Sequence, residues 1–145
     1  MPFKVIVTRD FDQMSEQAAE IVIGSIQAGL REKDRFILGL ATGNSPTGLY
    51  KHLAKACNDG TVDAGRIRSF NLDEYIGLPG ENAQQRALHP KSYSFFMIQE
   101  LFGLLKKKFG ETSVPWGTLV DQERLLAELK THPEDWSEQG EDKGR

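Results

Sequence analysis

Cysteine is nearly absent: Cys57 stands alone among 145 residues, so no intramolecular disulfide can form and a disulfide-stapled secreted domain is excluded. Long apolar runs are missing as well, so no segment matches the roughly 20 apolar residues of a membrane-spanning helix. The opening Met1–Val7 has neither the apolar core nor the cleavage site of a signal peptide. Positive charge is not in excess either. With 18 Lys and Arg against 21 Asp and Glu the net charge is −3, and the sequence pI is about 5.6. Without a broad positive field, neither nucleic acid nor an anionic membrane is the expected partner, although a small anion can still bind locally. These absences together make the cytoplasm the expected location.

What is present is an alternation of apolar elements. Phe3–Val7 reads as a strand, and Asp10 or Asp12 can cap a helix running to about Arg31, with Met14, Ala18, Ile21, Val22 and Ile26 on its apolar face. The continuous run Phe36–Leu40 predicts a strand buried on both faces. A second helix is expected from about Ser45 to Asn58, stopped at Asn58-Asp59-Gly60, and Arg66–Leu72 supplies a further strand. Gly77–His89 is a long loop. Ser92 to about Phe109 is heavily apolar and predicts a third helix, with Lys106, Lys107 and Lys108 complementing the dipole at its end. This order predicts an α/β fold, a three-layer doubly wound, mostly parallel sheet with right-handed crossovers. Residues 1–130 form the expected single domain, with one more amphipathic helix over Asp121–Leu129, and residues 131–145 a polar, solvated tail.

Two segments follow predicted strands and carry candidate chemistry. Ala41-Thr42-Gly43-Asn44-Ser45-Pro46 is a strand-to-helix turn. A helix start offers unpaired N–H groups and partial positive charge, Gly43 permits close approach of a phosphate, and Asn44 and Ser45 add donors. Pro46 suits the first helical turn, which leaves Ser45 as the expected N-cap. The same residue types also serve a plain connection. Asp73-Glu74-Tyr75 follows the next strand, and one carboxylate there can act as a base on a carbon acidified by a neighbouring carbonyl or imine. By composition alone the plainer reading is that both cap the next turn or pair with Arg66, Arg68 or Lys91. In an open parallel sheet, ligands bind outside the carboxyl ends of the strands, where both segments lie.

Read together, the segments resemble a known family. Gly39-Leu40-Ala41-Thr42-Gly43-Asn44-Ser45-Pro46-Thr47-Gly48-Leu49-Tyr50 resembles the phosphate loop of glucosamine-6-phosphate deaminases; Phe70-Asn71-Leu72-Asp73-Glu74-Tyr75-Ile76-Gly77-Leu78 resembles their catalytic-base motif, and His89-Pro90-Lys91-Ser92-Tyr93-Ser94-Phe95-Phe96-Met97 the helix start that follows. The resemblance covers roughly Val5 to Phe109. It implies Asp73 as the base that takes the C2 proton of the open-chain amino sugar, a sugar phosphate held at Thr42, Gly43, Asn44 and Ser45, and Glu74 and Tyr75 lining the crevice. It implies no metal or organic cofactor, and it carries an expectation of homo-oligomers.

Departures accompany the match. Family members carry, further along, an Asp-Gly-His segment with a downstream Glu for ring opening, and this sequence has none. His52, His89 and His132 lack that context and read as structural or solvated, as Cys57 reads as a small packing residue. The chain therefore reads as the N-terminal half of the family's sheet, with an open strand edge and an uncovered apolar helix face. Gly80–Arg86 is an apparent excess in the loop, and Tyr75 and Tyr93 are expected to pack with wet hydroxyls. Alternatives within the same architecture are a 6-phosphogluconolactonase-like hydrolase, against which Asn71-Leu72-Asp73-Glu74-Tyr75 argues, and a non-catalytic sugar-phosphate-binding module.

Overall fold

Asp10 opens the first helix by accepting a hydrogen bond from the Gln13 amide at 2.8 Å, while the Gln13 side chain accepts from the Arg9 amide at 2.8 Å. Such a reciprocal cap supplies partners to orphan N–H groups at a helix start and is worth about 1 kcal/mol. The computed structural model describes residues 2–115. Within them the order is α1 (Phe11–Glu32), β1 (Phe36–Leu40), α2 (Thr47–Asn58), β2 (Ile67–Asn71), α3 (Ala83–Ala87), α4 (Tyr93–Glu100) and β3 (Glu111–Ser113). The expected helix over Asp121–Leu129 and the tail over 131–145 lie outside the described residues.

The strands form one parallel sheet in the order β1-β2-β3, with Leu40 opposite Asn71 and Phe70 opposite Ser113. Leu40 and Ile67 face a core shared with Ile26 of α1, Tyr50 and Leu53 of α2, and Met97 and Leu101 beyond it. All three of these helices therefore cover the same side of the sheet. Alternate residues on the other side are open: Ile37 is 70% and Phe70 42% exposed. This corrects the expectation that β1 is buried on both faces. An unbroken apolar run can be half-buried when its alternate residues meet no described partner.

Two further corrections concern strands. Phe3–Val7 has no regular structure, and Phe3 and Val7 are each 89% exposed. Apolar composition does not make a strand without a ladder, and β1 pairs only with β2 among the described residues. The third strand is instead Glu111–Ser113, polar and short, set against β2 just after the Gly110 amide donates to the Ile67 carbonyl at 2.9 Å.

The helices were more legible. α1 is rotated slightly from its expected face: Ser15, Ala19 and Ile26 are buried, whereas Met14 and Ile21 are exposed. Its close approach to α2 depends on Gly48, where an added Cβ would stand 2.6 Å from the Ser15 Cβ. Its far end is closed by Arg66, whose guanidinium donates to the carbonyls of Leu30, Lys33 and Asp34 at 2.8–2.9 Å. α2 ends at Asn58, and Gly60 takes a positive φ of 86°.

The helix expected to reach Phe109 stops at Glu100. A 3-10 turn over Phe102–Leu104 follows, and a Cβ on Gly103 would meet the Ile98 carbonyl oxygen at 2.5 Å. Leu101, Leu105 and Phe109 still reach the core at four-residue spacing, so the periodicity was real while the conformation changed. Lys106–Lys108 accordingly do not end a helix. Lys107 pairs with Asp63 at 2.6 Å and Lys108 donates to the Phe102 carbonyl at 2.8 Å. The loop Gly77–His89 includes the short α3. Cys57 is buried, as expected, and that burial pushes its thiol up to about 11.

Candidate active site

The last paired residues of β1 and β2 are Leu40 and Asn71. Thr42 and Asp73 each follow two residues beyond this last pair, at the carboxyl end of the sheet. The root of the first loop is held from two directions. The Asn71 amide donates to the Leu40 carbonyl at 3.2 Å, and the Tyr50 hydroxyl, reaching back from α2, donates to the Ala41 carbonyl. Burial pushes the Tyr50 phenol up to about 12, so it stays protonated as a donor near neutral pH.

Beyond this root the chain turns at Gly43, which has φ of 95°. No hydrogen bond among the described residues uses the N–H groups of Gly43, Asn44 or Ser45, and all three residues are exposed. Ser45 is not the N-cap. Pro46 occupies that position without a side-chain cap, and the Thr47 hydroxyl donates to the Asn44 carbonyl at 2.9 Å. The expected cap fails because the turn closes on its own carbonyl. The consequence is a helix entrance whose donors remain available to an anion.

The second loop treats its two carboxylates differently. Glu74 Oε1 accepts from the Tyr75 amide at 2.9 Å and the Tyr93 amide at 2.8 Å; Oε2 accepts from the Ser92 hydroxyl at 2.7 Å and from the Ser94 amide and hydroxyl at 3.0 and 3.2 Å. Burial raises the Glu74 pKa, but the hydrogen bonds from Tyr93, Ser92, Ser94 and Tyr75 outweigh it and hold the group below the ordinary glutamate value. Glu74 is thus engaged at the start of α4 instead of presenting free oxygens to the crevice. This is the capping alternative, directed at a helix almost 20 residues away in sequence, whereas Arg66 goes to α1 and Arg68 pairs with Glu111 at 3.3 Å.

Asp73 is exposed, and no hydrogen bond or ion pair holds it among the described residues. It lies in the electrostatic surroundings of the Tyr93 hydroxyl, where Thr42 also interacts. Tyr93 and Tyr75 stack at 4.8 Å between ring centroids with a 39° tilt, and their hydroxyls are 3.2 Å apart. The hydrogen bond with Tyr75 is the largest of the influences that raise the Tyr93 pKa. The Tyr93 phenol therefore joins the loop after β2 to the start of α4. Sequence reading had given Tyr93 a packing role; its position directly after the Ser92 cap was the signal that its hydroxyl could reach this junction.

At the same carboxyl end of β2 and β3, a cavity of about 480 Å³ is lined by Phe70, Asn71, Thr112, Ser113, Val114 and Pro115. His52 is exposed on α2, and His89 Nδ1 accepts from the Lys91 amide at 3.1 Å in the turn before α4. His132 lies outside the described residues. Among the described residues, no group of three or more His, Cys, Asp or Glu side chains is placed to hold a metal ion, and no helix is long and apolar enough to cross a membrane.

A parallel sheet covered by helices is shared with solved chains of the NagB and 6-phosphogluconolactonase fold, about half of whose length this chain matches. A solved monomeric glucosamine-6-phosphate deaminase, described as a missing link of the NagB superfamily, is 29% identical and matches 90% of this chain and 52% of its own with a TM-score of 0.66. A solved 6-phosphogluconolactonase from Thermotoga maritima, 18% identical with a TM-score of 0.58 over 86% of this chain and 51% of its own, supports the fold alone.

Curated sequences narrow the assignment. The glucosamine-6-phosphate deaminase of Thermoanaerobacter sp. (strain X514) is 40% identical over 120 residues, 83% of this chain and 43% of the relative. That of Clostridioides difficile (strain 630) is 41% identical over 121 residues, 83% of this chain and 44% of the relative. No family model matches the chain. The chain is thereby a relative of the glucosamine-6-phosphate deaminases over most of its length, and it spans less than half the length of these curated relatives.

Proposed function

We propose that this chain carries the sugar-phosphate-binding and proton-abstracting part of a glucosamine-6-phosphate deaminase. The observation that supports this reading is that the loop after β1 leaves the N–H groups of Gly43–Ser45 without hydrogen bonds among the described residues, while the loop after β2, tied by Glu74 to the start of α4, leaves Asp73 exposed at the carboxyl end of the neighbouring strand. The phosphate of glucosamine 6-phosphate is read as binding the free N–H groups and side chains of Thr42–Ser45, at the entrance to α2. This leaves the sugar chain to run toward Asp73, with Tyr75 lining its path.

Asp73 is then the base. In the open-chain sugar the C2–H bond is acidified by the C1 aldehyde. Asp73 takes that proton, and the electron pair forms the C1–C2 double bond of an enolamine. Return of a proton to C1 gives the C2 imine, and water adds at C2 to release ammonia and leave fructose 6-phosphate. Ring opening needs a separate acid–base group, and none is assigned to the described residues. Slow spontaneous opening still supplies the aldehyde.

Incubation of the chain with glucosamine 6-phosphate, followed by assay of ammonia and fructose 6-phosphate, tests this reading. Equal production of both that disappears in Asp73→Asn supports it. Binding of the sugar phosphate by calorimetry, with no turnover and no effect of Asp73→Asn, replaces it with a binding role.

A further inference from the structure

Asp73 and Glu74 are adjacent carboxylates with opposite circumstances. Every polar partner of Glu74 is either its neighbour Tyr75 or the start of α4, and together they occupy both oxygens. Asp73 has none of these ties. At the end of an extended strand, consecutive side chains leave in different directions, so fixing one residue fixes where the next can point. Ser92, which donates to Glu74, is itself 1% exposed and caps α4 by accepting from the Ser94 amide at 3.1 Å. The anchor is thus a buried part of the fold, while Asp73 remains at the surface of the crevice.

We propose that Glu74 is a positioning residue: it locks the turn after β2 onto the start of α4 and thereby fixes where the neighbouring Asp73 can point. The inference rests on the reading of Asp73 as the base.

Glu74→Gln tests the proposal because glutamine keeps the length but offers one acceptor in place of two oxygens and brings an NH2 donor against N–H groups. In the full chain, hydrogen exchange is expected to rise at least tenfold at the Tyr75, Tyr93 and Ser94 amides while the Ile67–Asn71 amides keep their rates. With glucosamine 6-phosphate, kcat is expected to fall at least tenfold with KM within twofold. Coupling between the residues is read without turnover: Asp73→Asn is expected to shift the Tyr93 ring resonances in the wild-type background and not in the Glu74→Gln background. Glu74→Asp, a methylene too short to engage every partner, provides the same readings if the glutamine variant does not fold.

Unchanged exchange at the three amides overturns the proposal. So does a uniform rise that includes β2, which would make Glu74 a stabiliser of the whole fold, or an Asp73→Asn shift of Tyr93 that persists without Glu74. If the wild-type chain binds glucosamine 6-phosphate but releases no ammonia, the deaminase reading fails, and the exchange and resonance data still decide the clamp.

Discussion

The Asn71 side chain donates to the Leu40 carbonyl across the last rung of the β1–β2 ladder, at 3.2 Å. Both candidate loops diverge from this rung, so their relative placement is set by one side-chain bond as well as by the backbone register. Asn71 is 8% exposed, and its Oδ1 has no partner among the described residues; Ser69, two residues earlier on the same face, is fully buried and its hydroxyl likewise has no partner among them. Removing a buried donor that is bonded costs more than removing a hydroxyl that is not. Asn71→Ala is expected to lower unfolding free energy by about 1–2 kcal/mol, and Ser69→Ala to leave it unchanged or raise it by up to about 1 kcal/mol. Urea denaturation of the two variants checks the opposite directions.

Tyr50 provides a similar tie from the helical side, through its bond to the Ala41 carbonyl. Tyr50→Phe keeps the buried ring and loses only the hydroxyl. The expected cost is about 1 kcal/mol, the worth of an ordinary hydrogen bond. Because that bond holds the root of the anion loop, affinity for glucosamine 6-phosphate is expected to weaken by about fivefold, the equivalent of that energy. Titration calorimetry on the folded variant measures it, and unchanged affinity would separate the Tyr50 tie from the binding loop.

Alanine is a better helix former than glycine by about 1 kcal/mol, yet Gly48→Ala is expected to destabilise. The new Cβ would lie 2.6 Å from the Ser15 Cβ, and overpacking of this kind costs roughly 1–3 kcal/mol. Ser15→Gly combined with Gly48→Ala removes the collision, so thermal melting of the pair is expected to recover part of the loss. A pair no better than the single variant would mean that α1 and α2 shift apart readily.

Sequence pattern revealed the helices and the two loops more clearly than the sheet. Asp10, one of the two expected caps, marks the start of α1, and Asn58-Asp59-Gly60 marks the stop of α2, because caps and turns are local chemistry. β3 was hidden because Glu111-Thr112-Ser113 has no apolar alternation, and its position comes from pairing with β2. Phe3–Val7 is apolar enough to read as a strand but has no ladder partner among the described residues. Within the candidate site, Thr42–Ser45 and the Asp73-Glu74 pair stood out by residue type, and the family resemblance alone pointed to Asp73; the different circumstances of the two carboxylates depend on Ser92–Ser94 arriving from a distant segment. Ser45 failed as a cap because the Thr47 hydroxyl closed the turn on Asn44.

The pH dependence of Glu74 has a definite sign. Its native pKa is held below the ordinary value by hydrogen bonds that outweigh burial, so it binds protons more weakly in the native chain than in the unfolded one. The stability it contributes is present above the unfolded value of about 4.3 and is lost as pH falls through the lower native value. Melting temperature is expected to fall more steeply between about pH 5 and pH 3 in the wild type than in Glu74→Gln. The difference between the two curves isolates Glu74 from Asp59 and Asp63, which are also held low by hydrogen bonds from Thr61 and Lys107 respectively.

Loss of deuterium from C2 of 2-deuterated glucosamine 6-phosphate, followed by NMR with the wild-type chain and with Asp73→Asn, reads the proton abstraction itself. It requires only the small open-chain fraction that forms spontaneously. The expected result is deuterium leaving C2 and appearing at C1 of fructose 6-phosphate or in water, at least a hundredfold faster with the wild type than with the variant, within the usual range for a general base. Loss of C2 deuterium at the same rate in folded Asp73→Asn would contradict the assignment of Asp73 as the base.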